Sequence, residues 1–184
     1  MSISLRGKGT RRLCLNALLC VLAMMLSYLE AMLPLGAILP IPGFRLGLAN
    51  VVVMAVFCLF SPFDAACVSF VRICAMGLLF GSVTSFYFSF LGGALSFLSL
   101  LLLSRFVRGV SFLGASVLCA AAHNTGQILA AVTLFGAELV YSYLPLLLFA
   151  SVVYGAAVGM LLNLIMPRLQ RLRGTLVPCR KGDL

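Results

Sequence analysis

The sequence predicts an all-α integral membrane protein with six transmembrane helices and both termini in the cytoplasm. Three observations predict it. Of the 184 residues 63% are hydrophobic and only 9% charged, with a mean hydropathy of +1.19. A water-soluble domain needs far more charge to cover its surface. The apolar residues also fall into runs long enough to cross a bilayer, where helices satisfy their own backbone. Lastly, the net charge of +9 gathers at the edges of these runs. Arg6, Lys8, Arg11 and Arg12 precede the first run, Arg105 and Arg108 part the fourth from the fifth, and Arg168, Arg171, Arg173, Arg180 and Lys181 follow the last. This placement follows the positive-inside rule. The clusters lack the aromatic interleaving or module of a nucleic-acid reader, so membrane lipid is the expected surroundings and no nucleic acid the expected partner. The expected location is the cell's inner (plasma) membrane, crossed several times.

Three regions result: a basic cytoplasmic tail at 1–12, a membrane domain at 13–166 and a second basic cytoplasmic tail at 167–184. No small-x-small cleavage site follows the first apolar run, so it reads as an uncleaved helix. That span covers about 13–33, ended by Pro34, with Glu30 near its outer end. Residues 34–45 hold three prolines and two glycines, which exclude a continuous helix; an apolar loop of this kind suits a lid over the outer mouth. Span two covers about 46–60, with Arg45 just outside and Asn50 one turn in. Ser61-Pro62-Phe63-Asp64 forms a turn that caps span three, with Asp64 placed well for the helix dipole.

Span three runs over about 65–80 with Arg72 halfway along, where an arginine is costly unless it snorkels, pairs or faces a polar cavity. No charge occurs from Ile73 to Ser104, too long a stretch for one helix. Gly81-Ser82-Val83-Thr84-Ser85 breaks it, giving an outer turn and a fourth span over about 86–104. Gly92, Gly93 and Ser96 offer a small-residue packing face there. Span five covers 112–135 and holds the polar stretch His123-Asn124-Thr125-Gly126-Gln127 near its middle. An outer turn at 136–143 carries Glu138, Tyr141 and Tyr143 at interface level. Span six covers 144–166 and contains Gly155-Ala-Ala-Val-Gly159, a packing pattern within the molecule or against a partner.

Polar groups at membrane depth are functional-site candidates. His123 is the only histidine, and Gln127 stands one turn away on the same helix face; Asn124 lies on an adjacent face. Arg72, Asn50, Arg45 and Glu30 could converge with them on a cavity open to the outside under the 34–45 loop. Two arginines and several neutral donors suit an anionic or strongly hydrogen-bonding small molecule. The alternative is an internal polar network that only holds helices together.

Enzymatic motifs are missing. The chain has four acidic residues, Glu30, Asp64, Glu138 and Asp183, and no paired carboxylates, nucleophile elbow, His-Glu-x-x-His or Walker motif. Its seven cysteines form no Cys-x-x-Cys pair and six of them lie in apolar runs, where they read as small hydrophobes. No metal and no cofactor is expected.

The chain resembles the Gx transporter family, often labelled heptaprenyl diphosphate synthase component I and related to the substrate-binding S components of energy-coupling factor (ECF) transporters. The resemblance rests on Leu26-Ser27-Tyr28-Leu29-Glu30 with Pro34, Pro42-Gly43-Phe44-Arg45-Leu46-Gly47-Leu48-Ala49-Asn50 and Arg72. It continues through Gly81-Ser82, Ser89-Phe90-Leu91-Gly92-Gly93 with Ser96, Gly114-Ala115-Ser116, His123-Asn124-Thr125-Gly126-Gln127 and Tyr143-Leu144-Pro145. It implies a six-helix S-component-like bundle with an outward cavity under the first loop. It also implies partners, a membrane coupling protein and two ATPases. S components of that kind dock through small residues four apart on the first helix, and Asn16-Ala-Leu-Leu-Cys20-Val-Leu-Ala-Met24 shows no clear Ala-x-x-x-Ala. Prenyl diphosphate synthases hold magnesium with Asp-rich motifs, whereas this chain has only Asp64 and Asp183. The expectation is therefore a non-enzymatic substrate-binding or uptake component. A non-catalytic membrane subunit of an isoprenoid or quinone synthase and a purely structural membrane subunit are the competing readings.

Overall fold

The computed structural model describes residues 3–32, 47–80, 83–107, 109–136 and 144–176. Six α-helices account for nearly all of them: α1 Ile3–Met32, α2 Asn50–Leu59, α3 Pro62–Phe80, α4 Val83–Phe106, α5 Phe112–Phe135 and α6 Leu144–Leu176. Among the described residues there is no strand. Five of the helices are long and apolar enough to cross a membrane. The protein is thus an all-helical, multi-pass membrane protein.

The helix expected over 46–60 is the exception. It begins only at Asn50 and has 10 residues, which rise about 15 Å against a hydrocarbon core of about 30 Å. Gly47 adopts φ +85°, a left-handed backbone that keeps the preceding residues out of the helix. Seven of the ten residues, from Val51 through Val56 and Leu59, are buried. A helix apolar all round belongs in an interior, and α2 is the centre of this molecule. Val52, Val53 and Val56 pack with Ala23 of α1 and with Ala65 and Val68 of α3. Val51, Met54, Ala55 and Leu59 join Leu100 of α4, Ala115 and Cys119 of α5 and Leu162 of α6.

Other boundaries also move. α1 starts at Ile3, so most of the basic segment read as a tail is helical. α3 and α4 start at Pro62 and Val83, ahead of the expected 65 and 86, so that residues 62–64 and 83–85, read as turns, form the first helical turns. α6 continues through Pro167 to Leu176. The α5 boundaries agree with the sequence reading, with Ser111 accepting from the Gly114 N–H as N-cap and Gly136 at φ +89° ending the helix. The loop at 34–45, with Pro34 and Arg45, lies outside the described residues, as do Glu138, Tyr141 and Tyr143.

The start of α3 follows the grammar read from Ser61-Pro62-Phe63-Asp64. The Asp64 N–H donates to Ser61 Oγ at 3.2 Å, and Ser61 Oγ donates to Asp64 Oδ2 at 2.8 Å. Arg12 on α1 donates through Nε to the same carboxylate at 3.1 Å and forms an ion pair with it. This contact ties the N-terminal part of α1 to the first turn of α3.

Helices α4, α5 and α6 pack antiparallel through glycines. A Cβ on Gly126 would lie 2.5 Å from the Leu91 carbonyl oxygen and 2.8 Å from Gly92 Cα. Gly155 and Gly159 face Val117 and Leu113 of α5, with hypothetical Cβ distances of 2.7 and 2.6 Å to their Cα atoms. The Gly-x-x-x-Gly pattern is therefore a packing face within the molecule.

We expect Gly126→Ala to cost about 1–3 kcal/mol, since the added methyl meets backbone that cannot rotate away. Gly9→Ala, where nothing lies within 4 Å, should leave stability unchanged or slightly raised. Thermal unfolding of both variants in detergent compares them, and equal midpoints would refute the close approach of α4 and α5.

Candidate functional site

Glu30 lies in the last turn of α1, on an inward stripe with Ala23 and Ser27, while Tyr28 and Leu29 between them are exposed. These three positions follow helical spacing, so the carboxylate is carried inward and is 2% exposed. The Gly47 N–H donates to Glu30 Oε1 at 2.5 Å and the Leu48 N–H to Oε2 at 3.2 Å. Both N–H groups belong to the turn that opens α2, whose next bonds run from the Asn50 N–H to the Gly47 carbonyl and from the Val51 N–H to the Leu48 carbonyl. Ala49 has no side chain with which to cap α2. A carboxylate from another helix supplies the cap, at the end where the helix dipole favours negative charge.

The ring of His123, 3% exposed, stands beside this turn. Its Nδ1 is 3.3 Å from Asn50 Nδ2 and its Nε2 is 3.0 Å from Gln127 Nε2. A neutral imidazole has one N–H and one acceptor nitrogen, so one of these amides presents its oxygen to the ring. Two glycines clamp the ring. A Cβ on Gly92 would be 2.8 Å from His123 Cε1, and one on Gly47 would be 3.3 Å from Nε2 and 2.9 Å from Asn50 Nδ2. Gly47 is thus required twice, for its backbone conformation and for the space its missing side chain leaves.

Arg72 is buried in the middle of α3, and its Nη1 donates to Ser27 Oγ at 3.3 Å. Snorkelling is therefore excluded. Its guanidinium lies beside Gly93 of α4, 3.9 Å from where a Cβ would stand. Glu30 and Arg72 are the buried charged residues among those described, and they reach the same face of α1, one turn apart.

The structure brings Glu30, Asn50, His123 and Gln127 together around Gly47, while Arg72 bonds Ser27, which lies one turn before Glu30 on α1. It does not bring Asn124 there. The Asn124 side chain donates through Nδ2 to the Leu147 carbonyl at 2.9 Å, so this buried amide joins α5 to α6, as the interhelical alternative describes. Arg45 lies outside the described residues. Sequence reasoning missed the roles of Gly47, Gly92 and Ser27. It also gave no site role to Ser116, which shares the helical stripe of Ala120, His123 and Gln127, and passed over Tyr154 on α6, which lines the same cavity. The stripe spacing was the available signal. Among the described residues no three His, Cys, Asp or Glu gather to hold a metal. The arrangement offers a carboxylate, a guanidinium, an imidazole and two amides, a set suited to recognition.

Replacing Glu30 by Ala should leave two buried N–H groups without an acceptor, costing about 2–4 kcal/mol. Glu30→Gln keeps one acceptor oxygen and should cost less. Thermal midpoints in detergent order the variants, and an Ala variant as stable as the Gln variant would argue against the cap.

A family model described as heptaprenyl diphosphate synthase component I matches residues 19–165. Comparison with curated proteins and with solved structures gives no significant match. The matched stretch runs from the middle of α1 nearly to Pro167 of α6 and takes in every residue of the polar network. With that span matched, the chain belongs to the heptaprenyl diphosphate synthase component I family.

Proposed function

We propose that this protein is a membrane substrate-binding or uptake component for a small organic molecule, of the S-component kind. The carrying observation is the convergence of a buried carboxylate, a buried guanidinium, an imidazole and two amides from α1, α2, α3 and α5. Packing alone rarely places opposite charges and a histidine so deep in a bundle. A mixed set of this kind recognises a ligand bearing both hydrogen-bond donors and acceptors, and the guanidinium favours an anionic group. Glu30 already accepts two N–H groups, which leaves Arg72, His123 and Gln127 as the ligand-reading side chains.

In this reading Arg12, Arg105, Arg168 and Arg171 lie on the cytoplasmic side and Glu30 towards the outside, in keeping with the positive-inside rule. The chain performs no chemistry itself. An ECF-type coupling protein with its ATPases would power transport, and their co-purification with this chain tests that partnership.

A second reading is a non-catalytic membrane subunit of a heptaprenyl diphosphate synthase. Two observations favour it: the family's description, and an apolar groove of about 630 Å³ between α1 and α3, lined by Met24, Met25, Tyr28 and Met76 among others. Such a groove suits an isoprenoid tail. Prenyl transfer that arises only when this chain joins a soluble synthase partner would favour this role over uptake.

Mass spectrometry of the purified protein should find a bound small molecule, and Arg72→Ala and His123→Ala should each lose it while remaining folded. Retention in both variants would sink the site.

A further inference from the structure

Beside the polar network, α5 and α6 bury two hydroxyls that it does not use. Ser116 on α5 is 2% exposed, and its Oγ has no hydrogen-bond partner among the described residues. The Tyr154 hydroxyl on α6 is buried in the same condition. Buried hydroxyls are nearly always paired, and two unpaired ones on adjacent helices call for a common explanation. Both residues line one cavity of about 10 Å³, together with Gly47, Asn50, Met54, Cys119, Ala120 and Val158. That volume is close to the least that holds a single water.

We propose that this cavity is a polar subsite for one uncharged oxygen, held by Ser116, Tyr154 and Asn50. The lining supports each part of the assignment. Three polar side chains from three helices match the two to four partners of a buried water. No charged residue lines the cavity itself, and the Glu30 carboxylate beyond Gly47 already accepts the Gly47 and Leu48 N–H groups, so the lining suits a neutral oxygen better than an ion. Met54, Cys119, Ala120 and Val158 supply the apolar part of the lining, and the volume leaves room for one oxygen. Asn50 is shared with His123, so the bound oxygen extends the hydrogen-bonded chain from Gln127 and His123 across α2 to α6. The oxygen comes either from an ordered water or from a terminal hydroxyl or carbonyl of the bound molecule; the second source rests on the binding function proposed above.

Ser116→Ala, Tyr154→Phe and the double variant of the full chain, purified in detergent, test the subsite by thermal unfolding. Each single variant removes a partner from a bound oxygen and should lower the midpoint by about 2–4 °C. The double variant should lose less than the sum of the two, because both act through one oxygen. Hydroxyls that simply lie unpaired predict the reverse, a midpoint unchanged or raised on their removal. That result, or strictly additive losses, would overturn the proposal. Native mass spectrometry on the same samples separates the sources. A loss in preparations that carry no small molecule identifies water, and a loss confined to preparations that carry one identifies the ligand's oxygen. Non-additive losses with no co-purified molecule would count against the binding function and leave the subsite standing.

Discussion

A helix that begins inside a protein interior must find acceptors for its first N–H groups, and α2 begins beside a buried carboxylate. Its opening turn at Gly47 and Leu48 is held by Glu30 from the end of α1. Most of the site depends on this arrangement. The left-handed Gly47 lets the chain turn into α2 under the carboxylate. Asn50 then comes first in the helix, within reach of His123. Gly92 and Gly126 bring α4 and α5 close enough for the imidazole to fit between backbone surfaces. Two charges would be costly at this depth in isolation. One is bound by backbone donors at a helix N-terminus, and the other is hydrogen-bonded to Ser27 between α1 and α3.

Buried polar groups in this bundle divide by what they touch. Asn124 bonds a backbone carbonyl of α6, and Ser151 bonds one within its own helix. These are internal fasteners, and they lie on the α5–α6 seam that Gly155 and Gly159 also form. The groups around Gly47 instead gather from several helices at the opening turn of α2, Glu30 on its N–H groups and Asn50 and Gln127 on the His123 ring. Asn124 and His123 are neighbours in sequence yet belong to different categories, since one residue along a helix turns the side chain by about 100°.

Much of the fold was legible because its signals were local or compositional. Hydropathy located five long helices. Ser61-Pro62-Phe63-Asp64 read correctly as a capping turn, and Ser111 and Gly136 bracket α5 where the pattern placed them. The four-residue spacing of His123 and Gln127 foretold their contact. What escaped depended on distant residues. The late start of α2 follows from Gly47 and from the reach of Glu30, seventeen positions away; an apolar run carries no mark of where its backbone turns. The inward direction of Asn124 towards Leu147 depends on how closely α6 packs. Tyr154 and the role of Ser116 escaped because serine and tyrosine are common in membrane helices, and only their shared cavity singles them out.

The shortness of α2 bears on how the chain reaches its place in the bilayer. Ten apolar residues do not span the hydrocarbon core, so α2 cannot be held there as an independently inserted segment. Its anchors lie on its neighbours: Glu30 of α1 at its start, and Ser61 and Asp64, linked to Arg12, just past its end. Its place in the bundle therefore rests on α1 and α3, and its valines are interior because α4, α5 and α6 complete the packing around it. Helix length in this sense makes α2 dependent on its neighbours, and the turn that faces His123 exists only where α1 and α2 meet.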